Sequence, residues 1–206
     1  MTARFITLEG GEGVGKTTQL HALAEALRAR GLPVVTTREP GGSEGAEAIR
    51  RLLLEGEEER WSARAEALLF AAARTAHVDQ TIRPALERGE WVLCDRFLDS
   101  SLAYQGGAGG LGVDEVRSIN LFGIGGCLPD RTLLLVHPEG SERARLRDGD
   151  EGSDRIGRRP ATYHEAVERT FLERAAGEPR RIRIIDAAGT PAEVTARLMA
   201  ALEDLL

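Results

Sequence analysis

The sequence GGEGVGKTT, residues 10–18, decides the fold that we expect of this chain. Residues 10–17 match the pattern G-x-x-x-x-G-K-[ST], in which the backbone N–H groups of a glycine-rich loop surround phosphate oxygens. The apolar segment RFITLE precedes this loop, and TTQLHALAEALRAR, which has helical spacing, follows it. A strand before and a helix after are the context that such a phosphate-binding loop (the P-loop) requires. We therefore predict that the chain binds a nucleoside triphosphate.

The residue types in the loop predict how the triphosphate is held. Lys16 would reach the β- and γ-phosphates and the Thr17 hydroxyl would coordinate Mg²⁺, while the following helix contributes the positive end of its dipole. Lys16 is the only lysine among 27 lysine and arginine residues. This bias indicates a position where a compact ammonium is required and a planar guanidinium does not fit. The predicted triphosphate-binding residues are Gly10, Gly11, Glu12, Gly13, Val14, Gly15, Lys16, Thr17 and Thr18.

The composition of the chain limits the other functions to consider. With 206 residues, 42% of them hydrophobic and 29% charged, the chain is long enough for one globular domain. A net charge of −6 argues against nucleic-acid binding through a broad basic face. The two cysteines, Cys94 and Cys127, form no CxxC pair, so we expect no disulfide framework. No apolar run is long enough for a signal peptide or a membrane span, and we therefore expect a cytoplasmic protein without a membrane partner.

Short apolar segments alternate along the chain with longer segments of helical spacing. The candidate strands are RFITLEG, PVVTTRE, WVLCD, RTLLLV and RIRIID. This alternation predicts an α/β fold for residues 1–206, with a five-stranded parallel sheet, helices on both faces and ligands beyond the carboxyl ends of the strands. Thr190, Pro191 and Glu193 predict a capping box at the start of the last helix.

Two stretches rich in glycine interrupt this pattern. Residues 147–161, rich in glycine, aspartate and arginine, predict a short mobile lid that belongs to the same domain. Residues 106–112, GGAGGLG, contain no lysine, and we interpret them as a flexible loop and not as a second phosphate site.

The P-loop alone does not say what is done with the triphosphate. A switch GTPase needs an N-K-x-D element to recognise guanine, and a chain whose only lysine is Lys16 cannot contain one. A large motor ATPase would need a longer chain. A small kinase, which must also hold a phosphate acceptor, is the interpretation that remains.

Five further motifs follow the P-loop in order and resemble bacterial thymidylate kinase: TREPGG, LLFAAAR, CDRF, SSLAYQGG and SDRIG. The resemblance extends from Phe5 to the last helix. It implies a P-loop nucleoside monophosphate kinase that uses ATP and Mg²⁺ to convert dTMP to dTDP, and it implies a homodimer. A kinase for another nucleoside monophosphate and a nucleotide-dependent switch that binds a protein partner remain as alternatives.

The resemblance also implies how the base and the phosphate of dTMP are held. Phe70 and Arg74, four residues apart and therefore on one helix face, would stack on thymine and contact its O4. Arg96 would grip the acceptor phosphate, and Asp95 would hold the water shell of the metal, or Thr17. Without the resemblance, Phe70 could equally be a core residue beside a solvated arginine, and the Asp95–Arg96 pair a surface ion pair.

The other implied acceptor contacts surround the sugar and the base. Glu12 would meet the 3′-hydroxyl, and Tyr104 would pack against the deoxyribose where a 2′-hydroxyl would clash. Pro40 would help to wall the base, and Ser101 and Gln105 would flank the same pocket. For each of these residues taken singly, a role in a turn or in the core is an alternative.

The predicted lid supplies the third catalytic residue. Eukaryotic relatives carry a catalytic arginine in the P-loop, where this chain has Gly13, and Arg155 in SDRIG matches the lid arginine of the bacterial pattern. An arginine that closes over the γ-phosphoryl group would neutralise charge that develops during transfer. Lys16, Arg96 and Arg155 are therefore the predicted catalytic residues, and a solvated charged loop is the alternative for the lid.

The lid region departs from the family pattern at two positions. Gly157 follows D-R-I where a glutamate is frequent, and Glu168 stands where an arginine is expected. Further arginines lie nearby, among them Arg143, Arg147, Arg158 and Arg159. These departures bear on the lid contacts and not on the P-loop or the acceptor pocket.

Overall fold

A computed structural model of the chain describes residues 2–137 and 154–206. Five parallel strands form one sheet in the order β2-β3-β1-β4-β5. The strands are β1 (Phe5–Glu9), β2 (Val34–Arg38), β3 (Trp91–Asp95), β4 (Arg131–Val136) and β5 (Ile182–Asp186). All five coincide with the predicted segments, and the predicted parallel α/β fold is confirmed. Because β1 lies at the centre of the sheet, the loop that follows it emerges in the middle of the carboxyl edge.

The described helices are α1 (Lys16–Ala29), α2 (Glu44–Leu54), α3 (Ala63–His77), α4 (Arg83–Glu87), α5 (Leu98–Ser101), α6 (Val113–Ile124), α7 (Ala161–Gly177) and α8 (Pro191–Ala200). Two π-helical segments, π1 (Val78–Ile82) and π2 (Leu102–Ala108), extend α3 and α5, and a 3₁₀ turn (Glu58–Arg60) precedes α3. Within residues 2–137 and 154–206, no helix combines the length and the apolar character needed to cross a bilayer.

Helices cover both faces of the sheet because side chains alternate between the faces of each strand. On one face, Leu8 packs in a buried cluster with Leu23 of α1 and Leu198 of α8. On the other face, Phe5 packs in a second cluster that includes Val116 of α6. The predicted two-sided helical cover is therefore confirmed.

The last helix begins as its sequence predicts. The Thr190 side chain accepts a hydrogen bond from the Glu193 backbone, and the Glu193 carboxylate accepts one from the Thr190 backbone. Pro191 occupies the first helical position, where its missing N–H costs no intrahelical hydrogen bond.

The glycine-rich stretch 106–112 differs from the prediction of a flexible loop. Gly106 and Gly107 lie within π2, which packs against α7. A Cβ atom added at Gly107 would lie 2.1 Å from Oγ1 of Thr170 on α7. The glycine is therefore required by close packing between two helices, and the loop interpretation was wrong for this part of the stretch.

The predicted lid lies only partly within the described residues. Residues 147–153 of the lid, which include Arg147, lie outside them, and so does Arg143. Residues 154–160 form a turn that leads into α7 at Ala161.

Candidate active site

The P-loop joins β1 to α1 at the carboxyl edge of the sheet. Gly10, Gly13 and Gly15 have φ values of 142°, 65° and 92°, in the range that L side chains rarely adopt. A Cβ atom at Gly10 would lie 2.4 Å from the carbonyl oxygen of Leu135 on β4. The glycines thus allow a backbone course that a larger residue would block, and this course turns N–H groups towards the space in front of α1.

The Lys16 ammonium is enclosed by the loop. The side chain is buried, and Nζ donates hydrogen bonds to the carbonyl oxygens of Gly10 at 3.2 Å and Gly11 at 2.6 Å. Burial lowers the pKa of this amine to about 8. Two neutral carbonyls are weak partners for a buried cation, so phosphate oxygens would be preferred ligands for this group.

Thr17 and Asp95 form the part of the site that fits a metal. Thr17 Oγ1 donates to Asp95 Oδ2 at 2.9 Å, while Asp95 Oδ1 is buried and has no hydrogen-bond partner among the described residues. In the same part of the chain, no group of three histidine, cysteine or acidic side chains could hold a metal unaided. One hydroxyl and one carboxylate suit Mg²⁺, which keeps several waters and takes further ligands from a bound phosphate.

Two cavities meet at the P-loop. The α3 cavity, about 470 Å³, lies between the P-loop, α2, α3 and π2, and the α8 cavity, about 670 Å³, lies between the P-loop, β4, α7 and α8. Glu12, Gly13, Gly15 and Thr18 line both. The P-loop is therefore a wall of both cavities, and ligands bound in the two cavities would approach each other at the P-loop.

All eight residues predicted to bind the substrate line the α3 cavity. They are Glu12, Pro40, Phe70, Arg74, Arg96, Ser101, Tyr104 and Gln105. Lys16, Thr17 and Asp95 line the same cavity. Residues that are far apart in the sequence are thus brought to one concave surface.

Arg96 is aimed at the P-loop by an unusual backbone. It is the one residue other than glycine with a positive φ, 67°, in the described part of the chain, a conformation that costs energy and is found at functional sites. Its Nη1 donates to the Gly10 carbonyl at 3.1 Å and to Ser100 Oγ at 3.2 Å, and its Nη2 donates to Glu12 Oε1 at 2.7 Å. Arg96 therefore lies between the P-loop and the α3 cavity, where it can meet an anionic ligand.

Glu12 is the anionic partner of Arg96 in this structure. The Arg96 guanidinium lowers the pKa of the Glu12 carboxyl to about 2, so the group is ionised at neutral pH. The Tyr104 hydroxyl also donates to Glu12 Oε1, at 3.0 Å, and burial raises the pKa of that hydroxyl. Glu12 is therefore a component of the cavity wall.

Glu9 supports the turn that carries Arg96, a role that no sequence motif predicted. Its Oε1 accepts from the backbone N–H groups of Phe97 at 2.8 Å and Ser100 at 3.2 Å, and its Oε2 accepts from Ser100 Oγ at 2.6 Å. Burial raises the pKa of the Glu9 carboxyl to about 7, and the nearby Asp99 adds to this effect. An acidic residue at the end of an otherwise apolar strand was the signal that could have identified it.

Arg74 is fully buried and held by four groups. Nε donates to Glu39 Oε2 at 2.8 Å, Nη1 donates to Ser101 Oγ at 2.9 Å and to Asn120 Oδ1, and Nη2 donates to the Phe97 carbonyl at 2.9 Å. Since a guanidinium has five N–H groups, these bonds leave one, on Nη2. The alternative of a solvated arginine beside Phe70 is therefore wrong.

Two further arginines of the α3 cavity were not predicted. Arg50 donates from Nη1 to the Pro40 carbonyl at 2.5 Å, and Arg38 pairs with Glu47 at 3.1 Å. With Arg96, they line this cavity with positive charge. Arg38 ends β2 and Arg50 lies on α2, so only the folded chain brings them together.

Arg155 lies outside both cavities, although its neighbours Asp154 and Ile156 line the α3 cavity. Its side chain has no exposed surface, and it donates from Nε to the Leu53 carbonyl at 2.8 Å and from Nη2 to Glu66 Oε2 at 2.5 Å. Arg155 is predicted to reach the γ-phosphoryl group when the lid closes; in this structure its side chain is enclosed behind the cavity wall.

The two positions that depart from the family pattern have different surroundings. The Gly157 backbone donates to Asp154 Oδ1 at 2.9 Å within the turn before α7. Glu168, on α7, lines the α8 cavity.

The thymidylate kinase family model matches residues 8–198 of this chain. A curated thymidylate kinase from Rhizorhabdus wittichii is 64% identical over 207 residues, which cover 100% of both chains. A curated thymidylate kinase from Afipia carboxidovorans is 45% identical over 205 residues, 98% of this chain and 90% of that protein. A crystal structure of thymidylate kinase from Ehrlichia chaffeensis is 31% identical, covers 98% of this chain and 99% of its own, and has a TM-score of 0.80.

Proposed function

Since the chain belongs to the thymidylate kinase family and phosphorylates dTMP, we propose that ATP in the α8 cavity is the donor and that dTMP is held in the α3 cavity. The observation that carries this proposal is the P-loop as a wall shared by the two cavities. Two anionic nucleotides would then meet end to end beside Lys16 and Arg96. The site lies within a chain that we expect to work in the cytoplasm.

The donor side holds the triphosphate by position and charge. The P-loop N–H groups and the Lys16 ammonium would bind the β- and γ-phosphates, with Lys16 exchanging the carbonyl oxygens of Gly10 and Gly11 for phosphate oxygens. Thr17 and Asp95 would hold Mg²⁺, which supplies neutralisation of phosphate charge when it is bound.

On the acceptor side, the base and the phosphate would be held by different groups. Phe70 would stack on thymine, and the remaining N–H of Arg74 would donate to O4. Arg96 would give up its ion pair with Glu12 and bind the acceptor phosphate instead. The released Glu12 carboxylate would then accept a hydrogen bond from the 3′-hydroxyl. Arg38 and Arg50 would add positive charge around the same phosphate.

These positions support a direct, in-line transfer. An oxygen of the dTMP phosphate would form a bond to the γ-phosphorus of ATP while the bond from that phosphorus to the β–γ bridging oxygen breaks. The products would be dTDP and ADP, with no covalent enzyme intermediate. Because the chain provides cations and N–H groups, its contribution would be positioning and electrostatic stabilisation.

We also propose that the α3–α6 face joins two copies of the chain as a homodimer. Phe122 is 92% exposed and Leu68 is 57% exposed, and they lie beside Ala71, Ala72 and Ile119. A patch of neighbouring apolar side chains left open to solvent is typical of an interaction site. The homodimer implied by the resemblance supports a second copy as its occupant.

The substrate assignment is tested by measuring ADP release in a coupled assay with ATP and a panel of dTMP, dUMP and CMP. The highest kcat/KM with dTMP is expected. Highest efficiency with CMP would contradict the acceptor assignment. Slow ATP hydrolysis that no monophosphate accelerates would favour the nucleotide-dependent switch instead.

A further inference from the structure

One buried carboxylate, that of Glu66, connects three parts of the chain. Glu66 lies on α3 and is 2% exposed. Its Oε2 accepts hydrogen bonds from Arg155 Nη2 at 2.5 Å and Arg159 Nη2 at 2.7 Å, and its Oε1 accepts one from Gln105 Nε2 on π2 at 3.1 Å. The described end of the predicted lid is therefore attached to α3 and to π2 by the same group.

Further contacts make this attachment extensive. Arg155 also donates to the Leu53 carbonyl on α2. The Arg159 guanidinium lies 4.5 Å from the centre of the Tyr163 ring and donates to its hydroxyl, which in turn donates to the Tyr104 carbonyl on π2 at 2.7 Å. Residues 155–163 are thus fixed to each of the helical walls of the α3 cavity.

The position of Glu66 relates this attachment to the acceptor site. Glu66, Phe70 and Arg74 recur at intervals of four, which places them on one face of α3. Gln105, which binds Glu66, follows Tyr104 directly in π2. A movement of α3 or π2 on binding dTMP would therefore be transmitted to Arg155 and Arg159.

On the basis of the proposed function, we infer that Glu66 is a positioning residue that couples the dTMP site to residues 155–163, with Arg155 as its anchor and not as a cation at the γ-phosphoryl group. For Arg155 to reach the phosphates, it would have to break its bonds to Leu53 and Glu66 and leave a buried carboxylate with one fewer cation. Separating one member of a buried ion pair is strongly unfavourable. Glu66 and Arg155 therefore act as one unit.

A double-mutant cycle tests this inference. Glu66→Gln, Arg155→Met and the double variant are assayed in the full chain for kcat, for the KM of dTMP and of ATP, and for folding by circular dichroism. We expect each single change to raise the KM of dTMP about tenfold with little change in the KM of ATP. The KM of dTMP for the double variant is expected to be no higher than that of the more impaired single variant, because both changes disable the same unit. Glu66→Asp, which keeps the charge, should lie between wild type and Glu66→Gln.

Hydrogen exchange distinguishes coupling from a purely structural role, because loss of a purely structural contact would not remove the effect of dTMP on amide exchange. In the wild type, dTMP should slow amide exchange in residues 155–163, and in Glu66→Gln this effect of dTMP should be lost while protection of the P-loop by ATP remains. If Glu66→Gln does not fold, Arg159→Gln, which leaves the Glu66–Arg155 pair intact, should show the same loss to a smaller extent.

Two results would overturn the inference. One is a fall in kcat for Arg155→Met with an unchanged dTMP KM, together with a normal kcat for Glu66→Gln, since this pattern belongs to a transition-state cation. The other is additive effects in the double variant. Failure of the wild type to use dTMP would instead overturn the proposed function, so the two failures are distinguishable.

Discussion

Arg96 Nη2 and Glu12 Oε1 lie 2.7 Å apart at the edge of the α3 cavity. The guanidinium proposed to bind the dTMP phosphate is thereby paired with a P-loop carboxylate before any nucleotide is bound. A phosphate dianion carries more charge and can take two parallel hydrogen bonds from an arginine, so it can displace the carboxylate. Binding then replaces one ion pair with another, and the partly buried guanidinium keeps an anionic partner throughout.

Replacement of Lys16 by arginine should abolish most activity although the charge is retained. Lys16 Nζ is enclosed within hydrogen-bonding distance of two P-loop carbonyls, and a planar guanidinium has no equivalent space. We expect kcat to fall on the order of 10²–10³-fold, measured by ADP release. Arg28→Lys, at an exposed side chain of the same helix, is the matched control and should leave kcat unchanged. Near-normal turnover of Lys16→Arg would refute the steric argument.

Replacement of Arg74 by alanine should raise the KM of dTMP far more than the KM of ATP. Of the two cavities, Arg74 lines only the α3 cavity. The replacement should also lower the free energy of unfolding by about 3–5 kcal/mol, because the buried Glu39 loses its guanidinium partner. The KM values are measured by steady-state kinetics and the free energy of unfolding by urea titration, both below the melting temperature. Phe70→Leu serves as a comparison that should raise the dTMP KM with a smaller loss of stability. Equal losses for ATP and dTMP would show that Arg74 does not recognise the base.

Replacement of Glu9 by glutamine should change how stability depends on pH. The pKa of Glu9 is raised from 4.5 to about 7 in the folded chain, so its ionisation favours the unfolded state as pH rises from about 4.5 to about 7. Relative to Glu9→Gln, the wild type should therefore lose on the order of 1–3 kcal/mol of unfolding free energy across that interval, with no further change above it. Urea unfolding at pH 5, 6, 7 and 8 measures the difference, and parallel curves for the two proteins would contradict it.

Replacement of Phe122 by glutamate should dissociate the proposed homodimer. A carboxylate in an apolar interface would be desolvated without a partner, so the dimer dissociation constant should rise at least about tenfold. Sedimentation equilibrium over a range of protein concentrations provides the measurement. Leu172→Glu, at an exposed leucine of α7, is the control and should leave association unchanged. A wild type that remains monomeric at every concentration would reject the interface.

The strands and the P-loop could be predicted because their signals are local in the sequence. Alternating apolar segments locate all five strands, and G-x-x-x-x-G-K-[ST] is one contiguous motif. Gly107 shows the limit of such reasoning, since its partner Thr170 lies on another helix and no pattern around residue 107 indicates that contact.

The same limit applies to the charged groups behind the site. Glu9 acts on Ser100 and Glu66 acts on Arg155, and these pairs are separated by 91 and 89 positions. A sequence pattern shows that an acidic residue is present, but its partner is defined only by the packing of the sheet and its helices. For Arg155 this partner changes the interpretation from a phosphate ligand to an anchor.

The enclosure of Lys16 also has a consequence for chemical labelling. Acylating reagents directed at lysine have a single side-chain target in this chain, and its lowered pKa leaves more of that amine unprotonated, and hence nucleophilic, near neutral pH than is usual for lysine. The surrounding carbonyls nevertheless restrict access. The rate at which one acyl group is incorporated at this position, followed by mass spectrometry, would therefore report directly on how often the loop opens.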